Sequence, residues 1–151
     1  MLDSPGGSVQ SGLLIAEEVF DRRLDTVVPP NAVCASACSY IFLAGRSRKV
    51  DGRLGVHQIQ SDVQDNAYIQ LNLADVIEAI TKYGTSPEIL TLMLKTPSNQ
   101  IHYFSDDEIV RYQINRIGEI PKARAFETQP SGDAILSPLA IEKLLESLGG
   151  N

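Results

Sequence analysis

Apolar residues return at helical spacing in two long stretches of the chain. Over residues 9–20 one face is apolar, whereas Glu17 and Glu18 lie on the face turned toward water. Over residues 66–83 there are two apolar faces, and Gly84 follows as a helix stop signal. The pattern predicts a helix over each stretch. Because the second helix has more apolar surface than one core contact requires, we expect it to pack between subunits.

The remaining predicted elements are shorter. A strand ends at the apolar pair Ala32-Val33, and a helical run from Tyr40 to Ala44 follows it. Toward the carboxyl terminus, Ser86 and Pro87 predict a helix that runs to Lys95. Residues 105–108 have the pattern of a capping box, which predicts a further helix ending at Tyr112.

One serine stands where this pattern changes from strand to helix. The segment Cys34-Ala35-Ser36-Ala37-Cys38 places Ser36 at the turn, and Gly55-Val56-His57-Gln58 ends the next short strand with one of the two histidines of the chain. A serine hydroxyl needs a base to take its proton and donors to hold the developing oxyanion. The unpaired amides of a helix N-terminus are such donors. The alternative is that Ala-Ser-Ala only lets the helix pack closely against the sheet.

A glycine-rich turn near the N-terminus completes the set of motifs. Pro5-Gly6-Gly7 precedes the first predicted helix, and its glycines allow positive φ and close approach of a ligand to the backbone. The alternative is an ordinary strand-to-helix loop.

Taken together, these motifs resemble the proteolytic subunit of Clp protease. The closest likeness is to a branch of Clp-like bacterial proteins, often extracytoplasmic, with two cysteines around the serine. The resemblance covers residues 2–117 and depends on the order and spacing of four segments. These segments are Ser4-Pro5-Gly6-Gly7, residues 34–38, the Gly45-x-x-Arg48 loop and residues 55–58.

The resemblance implies an α/β fold of the Clp/crotonase type, built from repeated β-β-α units, and assembly into a homo-oligomer. It also implies roles for four residues. Ser36 is the expected nucleophile and His57 its general base, and the amides of Gly7 and Ala37 are expected to form the oxyanion hole. No cofactor and no metal are implied.

The third member of the expected triad departs from the family pattern. Family enzymes place an aspartate just before a short Phe-Leu-Ser strand, and Ile101 occupies that position here. We predict that Asn99 orients the His57 ring by accepting its Nδ1 proton, the alternative being that Pro97-Ser98-Asn99 is a plain turn. A serine–lysine dyad with Lys82 is a further alternative, although a solvated helix end explains Lys82 more simply.

The length of the chain suits one small domain. Its 151 residues are 43% apolar, which is enough for one core, and no apolar run is long enough to span a membrane. Met1-Leu2-Asp3 gives only the end of a strand, so we expect the first β-β-α unit to lie upstream in a longer natural chain. We assign residues 1–119 to this incomplete core and residues 120–151 to a linker and a C-terminal amphipathic helix.

Charge and cysteine content argue against nucleic acid and metal ions as ligands of this chain. The net charge of −6, with both signs mixed along the chain, argues against nucleic acid binding. A basic cluster at residues 46–49 with Arg53 is interpreted as a solvated loop, the alternative being contact with a substrate carboxylate or a subunit. Two cysteines offer too few ligands for a metal site. We interpret Cys34 and Cys38 as small packing side chains, with a disulfide as the alternative.

The sequence therefore predicts a serine hydrolase, specifically a peptidase that acts on small or unfolded peptides. A non-catalytic scaffold or binding subunit of the same fold is the main alternative, because the triad aspartate is missing. A crotonase-type acyl-CoA enzyme is a third, and the Ser-His pair argues against it. The resemblance favours a periplasmic or membrane-associated location, with the cytoplasm as the alternative.

Overall fold

Helices and strands alternate through the part of the chain that the structure describes. The computed structural model describes residues 1–59 and 66–118. The expected linker and C-terminal helix at residues 120–151 lie outside these ranges. The helices are α1 (Val9–Asp21), α2 (Ala37–Leu43), α3 (Asn66–Lys82), α4 (Pro87–Lys95) and α5 (Asp106–Arg111). The strands are β1 (Thr26–Val28), β2 (Val33–Ala35), β3 (Arg48–Val50), β4 (Arg53–Val56) and β5 (His102–Tyr103).

The strands form two small sheets. In the larger one, β2 and β4 are parallel, with Ala35 opposite Gly55, and β5 runs antiparallel to β4, with Val56 opposite His102. In the smaller one, β1 pairs with β3 in parallel. A bridge between Ser4 and Cys34 adds the N-terminal residues beside β2. The described residues thus form a mixed α/β structure, as predicted, while the repetition of β-β-α units stays a prediction.

The helix ends follow the capping signals of the sequence. The Ser8 hydroxyl accepts a hydrogen bond from the Ser11 amide at the start of α1, and Pro87 occupies the first turn of α4. The capping box between Ser105 and Glu108 is present at the start of α5. The helix α2 begins at Ala37, directly after the turn at Ser36, and the apolar run from Tyr40 forms its second half.

Close packing of α1 on α2 brings the N-terminal half of α1 toward the Ser36 turn. A Cβ atom on Gly12 would lie 2.9 Å from the Ala37 carbonyl oxygen, so only glycine allows this approach. On their other sides the helices share a core with the sheet, in which Phe42 and Val56 are fully buried. This packing fixes the start of α2 relative to the sheet.

The basic cluster is not simply a solvated loop. Arg46 and Lys49 are exposed and pair with Asp25 at 3.1 Å and Asp51 at 2.9 Å, as that interpretation expects. Arg48, however, is only 3% exposed, and its guanidinium donates hydrogen bonds to main-chain carbonyl oxygens. Burial and the nearby Arg116 lower the pKa of Arg48 to about 9. The interpretation was therefore wrong for Arg48, because the backbone around it offers several acceptors.

The outer face of α3 carries apolar side chains into solvent. Val76 and Ile80 are buried on its inner face, whereas Leu71, which is 66% exposed, and Ala74 lie exposed on the other. The sequence pattern of two apolar faces is thus present, and packing between subunits stays a prediction. None of the helices within residues 1–59 and 66–118 is long and apolar enough to cross a membrane.

Candidate active site

Ser36 occupies a sharp turn between β2 and α2. Its backbone dihedrals are φ 55° and ψ −128°, a region that residues other than glycine rarely adopt. Its amide donates to the Gly55 carbonyl at 3.1 Å, and its carbonyl accepts hydrogen bonds from the Ser39 hydroxyl at 2.6 Å and the Ser39 amide at 2.8 Å. The surrounding structure therefore holds this serine in a strained conformation at the N-terminus of a helix.

His57 lies at the same edge of the sheet. It follows β4 directly, and β4 is the parallel neighbour of β2, in register with Ala35 opposite Gly55. Since Ser36 and His57 both follow the carboxyl ends of neighbouring parallel strands, the topology brings the two predicted site segments together. No hydrogen bond joins the Ser36 hydroxyl to the His57 ring within residues 1–59 and 66–118.

The glycine-rich turn lies against Ser36. Ser4 anchors it to β2, because the Ser4 amide donates to the Val33 carbonyl at 2.6 Å and the Ser4 carbonyl accepts from the Ala35 amide at 3.0 Å. A Cβ atom on Gly6 would lie 2.6 Å from the Ser36 Cβ. Gly6 also has φ 104°, so this position excludes other residues on two grounds. No role was predicted for Gly6 from the sequence. In the structure Gly6 leaves room for the Ser36 side chain, because it has no Cβ atom.

Two backbone amides beside the turn remain without acceptors. Across the described residues, neither the Gly7 amide nor the Ala37 amide donates a hydrogen bond to the protein. A Cβ atom on Gly7 would have no neighbour within 4 Å, so the space around this residue is open. Ala37 is the first residue of α2, where helix geometry leaves the amide unpaired.

The His57 ring lacks the partner expected of it. Its Nδ1 atom is buried and has no hydrogen-bond partner among the described residues. Asn99 is exposed in the loop between α4 and β5 and makes no hydrogen bond to His57 in this structure, so its orienting role stays a prediction. Continuing the register of β4 and β5 by one residue places Ile101 opposite His57. The Ile101 side chain also covers Gly55, whose Cβ position lies 2.5 Å from the Ile101 Cγ2.

The other two candidate groups have partners elsewhere. The Lys82 ammonium pairs with Glu17 and lies 3.9 Å from Asp21, at the C-terminal half of α1. These ion pairs fit the simpler interpretation of Lys82 as a helix-end residue. The second histidine, His102, pairs through Nε2 with Glu108 Oε1 at 3.0 Å and so ties β5 to α5.

The two cysteines that flank Ser36 form a disulfide. Cys34 and Cys38 are joined, with their Cα atoms 5.2 Å apart, and both side chains are buried. Their interpretation as separate packing thiols was wrong. The Ser36 turn folds the chain back on itself, which brings residues of sequence separation 4 within bonding distance. Residues 1–59 and 66–118 contain no cluster of three or more metal-binding side chains.

The comparisons with known proteins identify the fold. No protein-family model matches the chain, and a search of curated proteins finds no match. Among solved structures, the chain is similar to a lysine-to-alanine variant of the 1510-N membrane-bound stomatin-specific protease in complex with a substrate peptide. The identity is 18%, the TM-score is 0.58, and the match covers 80% of this chain and 59% of that one.

A second structure of the same protease gives a similar result. Its serine-to-alanine variant matches with 17% identity and a TM-score of 0.56, over 80% of this chain and 63% of that chain. The chain therefore spans about three-fifths of the length of these structures. At this level of identity the likeness shows a fold shared with this protease, which confirms the predicted α/β fold class in its coarse form.

Proposed function

We propose that this chain is a serine hydrolase, acting as a Clp-like peptidase on small or unfolded peptides. The observation that carries the proposal is the strained turn at Ser36, which opens a helix beside the strand that ends at His57. Strained backbone conformations are concentrated at active sites, where the surrounding structure holds them in place. A serine nucleophile at a sharp strand-to-helix turn is a known example of such a conformation. The substrate peptide bound to the similar protease supports a peptide as the substrate class.

The proposed mechanism uses four groups of the chain and no cofactor. Ser36 Oγ attacks the substrate carbonyl carbon while His57 takes the hydroxyl proton. The negative charge that develops on the carbonyl oxygen is held by the amides of Gly7 and Ala37, which have no acceptor within the described residues. His57 then passes its proton to the leaving amine, and water releases the acyl group from Ser36 by the reverse sequence.

A non-catalytic binding or scaffold subunit is the second candidate. The observation that favours it is the buried His57 Nδ1, which has no partner within residues 1–59 and 66–118 to fix the ring. Loss of the orienting group lowers the rate of a serine hydrolase strongly without abolishing catalysis. A test of the proposal must therefore distinguish a slow enzyme from an inactive subunit.

Assembly and location are part of the proposal. Leu71 and Ala74, three residues apart and exposed on the outer face of α3, support a homo-oligomer, because exposed apolar patches mark interaction surfaces. The disulfide between Cys34 and Cys38 supports an oxidising compartment, in agreement with the periplasmic or membrane-associated location that the family resemblance favours.

Labelling with a fluorophosphonate tests the proposal. The probe forms a covalent bond with an activated serine, so the wild-type chain should be labelled while Ser36→Ala and His57→Ala should not. Ser11→Ala is a matched control, because Ser11 is an exposed serine on α1, outside the Ser36 turn. If Ser36→Ala is labelled at the wild-type rate, or if the folded wild-type chain is not labelled, the result would support the scaffold subunit instead.

A further inference from the structure

The disulfide closes a small ring around the proposed nucleophile. Cys34 lies in β2, Cys38 lies in the first turn of α2, and Ser36 is midway between them. The ring also contains Ala37, whose amide is one of the two proposed oxyanion donors. No other disulfide joins a strand to a helix within residues 1–59 and 66–118.

The ring encloses a strained conformation. Ser36 has φ 55° and ψ −128°, its amide donates to the Gly55 carbonyl, and its carbonyl accepts two hydrogen bonds from Ser39. Those contacts fix the two ends of the Ser36 backbone. The disulfide fixes in addition the distance between the strand and the first helical turn, and so limits how far Ser36 and Ala37 can rotate.

We propose that the Cys34–Cys38 disulfide is a positioning element of the site, and that Ser36 is fully reactive only in a chain that folded with this bond formed. The inference rests on the proposed function, because it concerns the reactivity of the same serine. It makes catalytic competence depend on oxidative folding. A chain folded in reducing conditions would have the same fold with a slow site.

Burial of both cysteines protects the disulfide bond from reduction in the folded chain. Cys34 is 0% and Cys38 is 3% exposed, so a thiolate cannot reach either sulfur without local opening. Reduction by a dithiol breaks the S–S bond in two steps. One reagent thiolate forms a mixed disulfide and releases one cysteine thiolate, then the second reagent thiol releases the other cysteine as the reagent becomes a cyclic disulfide. We therefore expect dithiothreitol to reduce the bond slowly in the folded chain and rapidly in urea.

The experiment compares three forms of the full chain. They are the oxidised wild type, the wild type reduced in urea and refolded with dithiothreitol, and Cys34→Ala/Cys38→Ala. The rate of fluorophosphonate labelling should fall about 10- to 100-fold in the second and third forms, since a small displacement of a reacting group has an effect of that size. The reduced wild type retains both sulfur atoms, so it separates loss of the bond from loss of side-chain volume, and reoxidation should restore the rate.

Peptide kinetics and hydrogen exchange extend the test. With a peptide substrate, kcat should fall and KM should change little, because the ring positions the nucleophile and not the substrate. The Ser39 amide, which donates to the Ser36 carbonyl, should exchange its hydrogen faster in the reduced chain.

Three results would overturn the inference. They are equal labelling rates in the oxidised and reduced wild type, equal exchange at the Ser39 amide, and reduction of the folded chain as fast as in urea. If the oxidised wild type is not labelled at all, the proposed function fails, and the exchange measurement still decides whether the disulfide holds the turn.

Discussion

At the scale of single residues, the candidate site combines a strained serine with an unpaired histidine nitrogen. Ser36 is held at positive φ by its neighbours, whereas nothing among the described residues accepts a hydrogen bond from His57 Nδ1. A buried polar atom without a partner costs about 1–3 kcal/mol. In a hydrolase it also leaves the tautomer and orientation of the imidazole unset. The candidate nucleophile is therefore held in a defined conformation, whereas the candidate base has no partner for Nδ1 among the described residues.

Restoring a carboxylate beside His57 should raise activity. The strand register places residue 101 opposite His57, so Ile101→Asp brings an acceptor toward Nδ1 and stabilises the imidazolium that forms during acylation. We expect kcat on a panel of small esters and peptides to rise by about tenfold or more, given the large effect of this group in serine hydrolases. Asn99→Asp should give a smaller gain, because Asn99 is exposed in the preceding loop.

Ile101→Asn is the matched control for this prediction. Its amide oxygen can orient the ring but carries no charge, so it should recover only part of the gain. If Ile101→Asp folds normally, shown by an unchanged unfolding transition, and kcat does not rise, the missing aspartate is not what limits the site.

At the scale of elements, the two ends of α5 are set in different ways. A local capping signal sets its start, and tertiary contacts set the turn that follows its end. Its start is set by the capping box of Ser105 and Glu108, as the sequence predicted. Its end is followed by Gln113 with φ 52°, a left-handed conformation that glycine adopts most readily. Glutamine bears the strain of this conformation because residues 113–116 are tied to the core by hydrogen bonds to β3.

Gln113→Gly should therefore stabilise the protein. Glycine adopts positive φ without the Cβ clash that costs other residues, and the exposed Gln113 side chain has little packing to lose. We expect a gain of about 0.5–1 kcal/mol in the free energy of unfolding, measured by urea titration. Arg111→Gly, in the last turn of α5, is the control and should lose about the same amount. A loss of stability in both variants would show that Gln113 is not strained.

At the scale of the whole molecule, two arginines join distant segments through main-chain carbonyls. Arg48 donates to the Leu43 carbonyl at 2.8 Å and to the Ile114 carbonyl at 2.6 Å, which links the end of α2 to the segment after α5. Arg116 donates to the carbonyls of Gly45 at 2.6 Å and Tyr83 at 3.0 Å. The segment that follows α5 is thereby fixed to the ends of α2 and α3, and with it the helix that contains Ala37.

Replacing Arg48 should lower the free energy of unfolding of the whole domain. Arg48→Met keeps the length of the side chain but leaves several buried carbonyl oxygens without a donor, so we expect a loss of about 2–4 kcal/mol in the free energy of unfolding. Lys49→Met, at the next residue of β3, should change it by less than about 0.5 kcal/mol, because the Lys49 side chain is 64% exposed. Equal urea midpoints for the two variants would contradict the proposed role of Arg48.

Much of the architecture was predictable from patterns within a few residues. The helical periodicity of residues 9–20 and 66–83 predicted α1 and α3, and capping residues predicted the starts of α4 and α5. The order and spacing of the motifs around Ser36 and His57 predicted the fold class, which the similar protease structures confirm in its coarse form. These signals are readable because helix periodicity, caps and turns depend on side chains close in sequence.

The state of the site was decided by contacts between distant segments. Burial of Arg48 depends on Ile114, 66 residues away, and the position of Ile101 opposite His57 depends on the pairing of β5 with β4. The disulfide is local in sequence, yet the spacing of the cysteines left it open, and the bond follows from the folded geometry of the Ser36 turn. Sequence alone therefore indicated which residues are candidates for chemistry here. The tertiary structure decided which of them have partners, because burial and hydrogen bonding are properties of the packed chain.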